Sequence, residues 1–217
     1  MKKSILGKSA TQLIVLTMAA ALSASVLSAG DAPSLFYSRS FPGSKPDYIQ
    51  IVVEKSGDAV YQEAVDDDLP LKFKLNAENT AAVYDLVAKL DYFKRPLEST
   101  LKVAFMGTKT FRYVDGDKKT EVKFNYSEDP SAQQLQDWFE RMAESAQRRI
   151  ELERAAKYDH LGVDQALNGL EESFENGRVI APEQYLPMLD RVAKNETYMH
   201  QARAKAAELA EYIRKPK

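Results

Sequence analysis

Residues 48–65 read YIQIVVEKSGDAVYQEAV, and their spacing decides the fold class. Ile49, Ile51 and Val53 alternate with Tyr48, Gln50 and Glu54; Val52 alone breaks the polar side. A period of two places every second side chain on one face of a strand. Ser56-Gly57-Asp58 has turn chemistry, so Ala59–Val65 reads as the return strand of a hairpin. Asp66-Asp67-Asp68 ends it, and Leu71, Phe73 and Leu75 against Lys72 and Lys74 give the cleanest alternation in the chain.

The period then lengthens. Asn76 is a good N-cap, and Val83, Leu86, Val87, Leu90 and Phe93 fall on one face of a helix that Pro96 stops. Alternation returns at Leu101, Val103 and Phe105, predicting a strand there. Gly107 turns the chain. Phe111 and Tyr113, then Thr120, Val122, Phe124 and Tyr126, flank Asp115-Gly116, a strong hairpin signal. Asp129 and Pro130 open a long helix to about Lys157, with Leu135, Trp138, Phe139, Met142, Ala146 and Ile150 as its stripe. Asp137–Arg141, Glu144–Arg148 and Glu153–Lys157 stand at i, i+4 on its polar side.

Three helical segments follow. The first carries Val163, Ala166, Leu167, Leu170 and Phe174 and stops at Asn176-Gly177. The second starts at Pro182, with Pro187 a turn inside it. The third is capped by Asn195 and has Met199, Ala202, Ala206, Leu209 and Ile213 as a narrow heptad seam. The fold class expected is α+β. A mainly antiparallel sheet of about six strands, ordered three strands–helix–three strands–long helix, precedes a C-terminal helical bundle or hairpin. Asn76 and Asp129 lie 53 positions apart, as do Tyr48 and Leu101. Residue identity at that offset is poor, which favours a meander that only looks periodic over a duplication.

The chain divides into a signal peptide at 1–30, an arm at 31–47, a sheet domain at 48–157 and a helical region at 158–217. Lys2, Lys3 and Lys8 precede the apolar run Leu13–Leu27, and Ser28-Ala29-Gly30 offers a cleavage site. The run is short for a membrane span, so export to the periplasm or beyond is expected, with an uncleaved anchor as the alternative. The lysine-led leader is of bacterial type. Pro33, Pro42, Gly43 and Pro46 make 31–47 an irregular arm, while Leu35, Phe36, Tyr37 and Phe41 hold it against the domain, at most as a short edge strand.

Composition excludes several chemistries. The chain has no cysteine, so disulfides, thiolate zinc sites, iron–sulfur clusters, cysteine nucleophiles and cysteine lipidation are closed to it. Its 30 basic residues, less the three leader lysines, stand against 32 acidic ones, leaving −5 after cleavage. Interspersed charge of that sign disfavours nucleic acid as a partner. After cleavage no apolar run approaches a transmembrane span.

No catalytic residue, metal ligand set or cofactor motif rises above background. Asp66-Asp67-Asp68 reads as a solvated strand end, because consecutive extended residues point apart. Asp115-Gly116-Asp117 with Glu121 reads as a hairpin turn. His160 and His200 share no local motif. Trp138 and the aromatics Phe36, Tyr37, Phe41, Tyr48, Tyr61, Tyr113 and Tyr126 read as core and sheet residues before a ligand groove. Arg148-Arg149 sits among Glu144, Glu151 and Glu153 as a solvated face. Asn125-Tyr126-Ser127 and Asn195-Glu196-Thr197 match the glycosylation pattern by chance. G-x-S-x-G, S-x-x-K, P-loop and G-x-G-x-x-G patterns are missing. The reading that results is a non-enzymatic binding module meeting another envelope or secreted protein. A carboxylate-dependent hydrolase and a structural, envelope-tethered protein are the alternatives.

Overall fold

The computed structural model describes residues 32–215; the leader at 1–30 lies outside them. The fold is α+β, with one six-stranded antiparallel sheet and five α-helices among the described residues. Strands β1 (Ser34–Ser40), β2 (Tyr48–Glu54), β3 (Asp58–Gln62) and β4 (Leu71–Lys74) precede helix α1 (Ala77–Lys89). Strands β5 (Thr108–Asp115) and β6 (Lys118–Phe124) precede helix α2 (Pro130–Tyr158). Helices α3 (Val163–Glu175), α4 (Leu186–Lys194) and α5 (His200–Arg214) follow.

The strand count is as expected, but one expected strand is missing and another stands in its stead. Spatial order is β4-β3-β2-β1-β5-β6, so residues 34–40 form a central strand rather than an arm or an edge. Every residue from Ser34 to Ser40 pairs on both sides, with β2 and with β5. Burial explains the placement: Leu35 and Tyr37 are fully enclosed, and a strand with two such side chains gains most in the middle of a sheet. The strand expected at Leu101–Phe105 does not form. Element order is four strands–helix–two strands–helix, which removes the basis for an internal repeat.

Alternation elsewhere does what a period of two requires. One row across the inner face runs Leu71, Tyr61, Ile51, Tyr37, Phe111 and Val122 through successive registered pairs. Helices α1 and α2 cover this face, and Tyr37 stacks on Phe139 of α2 with ring centroids 4.7 Å apart. Asn76 caps α1 by accepting from Asn79 N at 2.8 Å. Asp129 caps α2 by accepting from Ser131 N at 2.8 Å, with Pro130 in the first turn.

Helix α1 ends at Lys89, short of the expected Phe93. Asp91, Tyr92 and Phe93 take left-handed φ values of 48°, 52° and 61°. Such a conformation costs about 1–2 kcal/mol for each non-glycine residue. Packing offsets it: Phe93 stacks on Phe111 at 5.3 Å, Tyr92 meets Tyr113 at 5.0 Å, and Thr120 Oγ1 donates to Tyr92 O.

A second apolar cluster lies among the C-terminal helices, and α2 serves both. Its Leu135, Phe139, Met142 and Ala146 join the sheet core. Its Leu152 and Ala156 join Leu167, Leu170, Tyr185, Leu189, Ala202 and Leu209. Ser145, buried at the crossover, takes a bond from Ile180 N at 2.8 Å, and its carbonyl takes one from the Tyr185 hydroxyl. Glu144 does not pair with Arg148 as its spacing predicts. It accepts from Arg178 Nε at 2.9 Å and from Ser173 Oγ at 2.8 Å. Glu153 likewise pairs with Arg149 rather than Lys157. Pro187 does not distort a helix but stands in the first turn of α4, after a 3-10 turn at Pro182–Tyr185. Asn195 caps a local turn by accepting from Thr197 N; α5 begins later, after Met199.

Candidate interaction surface

Residues Leu101–Met106, which form no strand, carry a run of exposed apolar side chains. Leu101, Val103, Phe105 and Met106 are 55%, 38%, 58% and 43% exposed. Val103 and Phe105 were expected inside, and the structure corrects that. Single exposed apolar residues are ordinary; four large ones within six positions form an exposed apolar patch.

The backbone beneath them is held in place. Asn125, just past the end of β6, accepts from Met106 N at 2.7 Å and donates from Nδ2 to Ala104 O at 3.0 Å. Lys109 Nζ donates to Asn125 O at 2.6 Å and to Met106 O at 3.2 Å. Asn125 N in turn donates to Glu98 Oε2 at 2.6 Å, and Ser99 N to Tyr126 O at 2.8 Å. Gly107 closes the loop with φ +89°; a Cβ there would stand 2.8 Å from that of Phe41 and 3.0 Å from Ser40 O. Phe41 also meets the edge of Phe105, centroids 6.0 Å apart.

Lys109 is only 3% exposed and sits on the inner side of β5, in register with Arg39. Burial pushes its ammonium below the ordinary lysine range, Arg39 adds to that, and Glu140 and Glu98 oppose it. An amine so placed is most simply read as a clasp: it ties the loop carbonyl to the strand that follows. The site holds apolar carbon, amides and one enclosed amine.

The residues singled out from sequence are scattered. Asp67 accepts from Glu63 N and Leu69 N within its own loop, while Asp66 and Asp68 are exposed. Asp115 ends β5 and Asp117 sits in the exposed turn that follows, and Glu121 is taken by Arg112 Nε at 2.6 Å. His160 lies edge-on to Tyr198, and His200 opens α5 on the surface. Among the described residues no group of three or more His, Asp or Glu is placed to hold a metal ion. Trp138 is half-buried against the core with the Arg141 guanidinium 4.5 Å from its ring centroid. Tyr37 and Tyr61 face inward while their strand neighbours Phe36 and Val60 face outward, so the aromatics divide between the two faces of the sheet. Arg148 bonds Glu151 and Ser173, and Arg149 bonds Glu153.

Two open grooves flank α2. One, of about 610 Å³, runs along α3 past Arg148, Glu151 and Asn168; the other, of about 640 Å³, runs along α4 past Arg149, Glu153 and His160. The carboxyls held below their ordinary range lie elsewhere and have ordinary causes. Asp58 is held down by Ser56 and Lys74, Glu121 by Arg112, Asp129 by Arg95 and helix amides, and Asp190 by Arg214. Among the described residues no helix is long and apolar enough to cross a membrane. Comparison with protein-family models finds none that matches, and comparison with curated proteins finds no match either.

Asn125 is the residue that sequence reasoning missed. It sits in a polar strand position and a chance tripeptide, and its role comes from a contact 19 positions away. One signal was available: in LKVAFM the alternation fails at Phe105-Met106, where two large apolar residues adjoin.

Proposed function

We propose that this is a non-enzymatic binding module, exported by way of its N-terminal leader, that grips another protein through the 101–106 loop. One observation carries the reading: four exposed apolar side chains stand on a backbone tied down by Asn125 and Lys109. Ordering a loop before binding lowers the entropy lost on association. Aromatic and aliphatic anchors near the centre of an interface dominate its energy. The leader supports an exported setting, where a thiol-free core needs no redox partner.

The test is affinity purification of the tagged protein from the envelope fraction of its source cells, beside the double variant L101S/F105S. The expected result is one stoichiometric partner on the parent and about a thirtyfold or greater loss on the variant, as for removal of a hot-spot anchor of about 2 kcal/mol. Both proteins should melt together. A partner retained equally by both would refute the assignment of this loop. N-terminal sequencing of the secreted form, expected to start after Ala29 or Gly30, tests the export half.

A further inference from the structure

Strand β6 is an open sheet edge. On one side it is paired to β5 without interruption, from Asp115↔Lys118 to Lys109↔Phe124. Asp115 and Lys118 close a two-residue turn, so they form a hydrogen-bonded pair and the parity of the strand follows. Lys118, Thr120, Val122 and Phe124 direct their backbone groups to β5. Lys119, Glu121 and Lys123 direct theirs outward, and among the described residues no backbone bond from outside the sheet reaches them. The opposite edge, β4, has four residues, and Arg149 Nη1 lies 3.4 Å from Lys72 O. β6 has seven residues, with neither a proline nor a bulge to blunt it.

Lysines on an edge ordinarily repel a second strand. On β6 they flank an acid, and the order Asp117, Lys119, Glu121, Lys123 complements its own reverse. We propose that β6 pairs antiparallel with β6 of a second copy of this chain, about a two-fold axis at Thr120, to make one continuous sheet. Lys119 then stands opposite the partner subunit's Glu121, and Glu121 opposite the partner subunit's Lys119. Asp117, in the turn just before the strand, adds an acid at the end where the partner subunit's Lys123 falls.

The two adjacent registers fail on charge, and one centred on Val122 pairs Glu121 with Lys123 but leaves Lys119 opposite the uncharged Asn125. Centring on Glu121 sets that acid against itself and lysine against lysine. Centring on Lys119 sets lysine against lysine and Asp117 against glutamate. A shift of one residue sets outward-bonding residues against inward-bonding ones and turns the pleat over. Glu121 has an oxygen to give: Oε2 holds Arg112 at 2.6 Å, while Oε1 has only Lys123 at 3.7 Å. Cross-strand pairs of opposite charge stabilise a ladder and like pairs weaken it. An edge contact is small, so a micromolar dimer is expected. This surface is separate from the 101–106 loop, and its fate does not decide that reading.

Sedimentation velocity on the purified protein, from about 1 to about 500 µM, tests the proposal against the weak-interface range. The parent should dimerise. K119E and E121K, each placing like charges opposite one another, should weaken the dimer by about tenfold or more. The charge swap K119E/E121K should restore it. Matched melting curves show that each variant is folded. A parent that stays monomeric, single variants without effect, or a swap that fails to rescue would each overturn the proposal; a monomer would leave the edge to an extended segment of another protein. A second measurement uses the absence of cysteine. T120C at the axis should cross-link under mild oxidation. V122C should not, since its two copies would lie about 13 Å apart at the rise of a strand. Equal cross-linking of the two would overturn the register.

Discussion

Raising the pH above 10 should unfold this protein through its buried tyrosines. Tyr37, Tyr61, Tyr84 and Tyr185 are 0%, 1%, 6% and 1% exposed. Burial drives each hydroxyl well above its ordinary value of 10.0. Three of the four donate to oxygen, an act a phenolate cannot perform: Tyr61 to Glu63 Oε1, Tyr84 to Pro33 O and Val53 O, and Tyr185 to Ser145 O. Tyr37 has no partner among the described residues, and its ring is enclosed. The sign follows from proton linkage. A group whose pKa is raised by folding holds its proton in the native state and loses it on unfolding above pH 10. Its stabilisation is therefore whole below pH 10 and declines above it. Each such tyrosine forfeits roughly 1 kcal/mol or slightly more per pH unit, so four remove about 5 kcal/mol by pH 11, against a typical total of about 5–15 kcal/mol. Lys109 acts in the opposite sense, since its depressed value relieves a penalty as pH rises, but it is one group against four. The assay is absorbance at 295 nm with far-ultraviolet circular dichroism across pH 8–13. The expected result is a first group of tyrosines titrating alone, then a cooperative step in which the rest ionise as helical signal is lost. Eleven tyrosines titrating together near pH 10 with the dichroism unchanged would refute the reasoning.

Further outcomes follow from packing. Phe139→Ala, at a fully enclosed ring, should lower stability by about 3–5 kcal/mol in urea melts. Phe105→Ser should change it by less than about 0.5 kcal/mol. Gly57→Ala should lower the melting temperature sharply: φ is +87°, and the new Cβ would stand 2.7 Å from Leu75 O and 2.9 Å from Thr80 Oγ1. Gly116→Ala, with nothing within 4 Å, should bear only the left-handed penalty of about 1 kcal/mol. Asn125→Ala should lower stability by about 1–2 kcal/mol and speed amide exchange at Met106 about fivefold or more, since it removes two bonds each worth about 1 kcal/mol.

Local rules were legible wherever a residue acts on its own backbone. Asn76, Asp129, Gly177 and the Asp115-Gly116 turn do what their side chains dictate within a few positions. The inner rows of β2, β3 and β5 were legible for the same reason, because a strand's own spacing decides which side chains share a face. Spacing does not say whether anything covers that face. Leu101, Val103 and Phe105 alternate as well as Leu71 and Phe73, but no helix lies over them. Residues 34–40 failed in the other direction: Pro33, Pro42 and Pro46 surround a strand whose central place is decided by β5, a partner some 70 positions away, added to its neighbour β2. Glu144 shows the same limit in a helix, with Arg148 one turn on and its true partner, Arg178, 34 positions away. The loop surface was illegible because its decisive residues, Asn125 and Lys109, hold it by bonds to backbone that a side-chain pattern does not record.

The most direct test of a contact role for the loop compares two methionines. Met106 and Met199 are 43% and 44% exposed, while Met142 is enclosed. In the purified protein, mild peroxide should oxidise Met106 and Met199 at matching rates and spare Met142. With the protein in its native cell fraction, Met106 should become protected while Met199 reacts as before. Oxidation of Met106 and Met199 at equal rates in both settings would contradict the account.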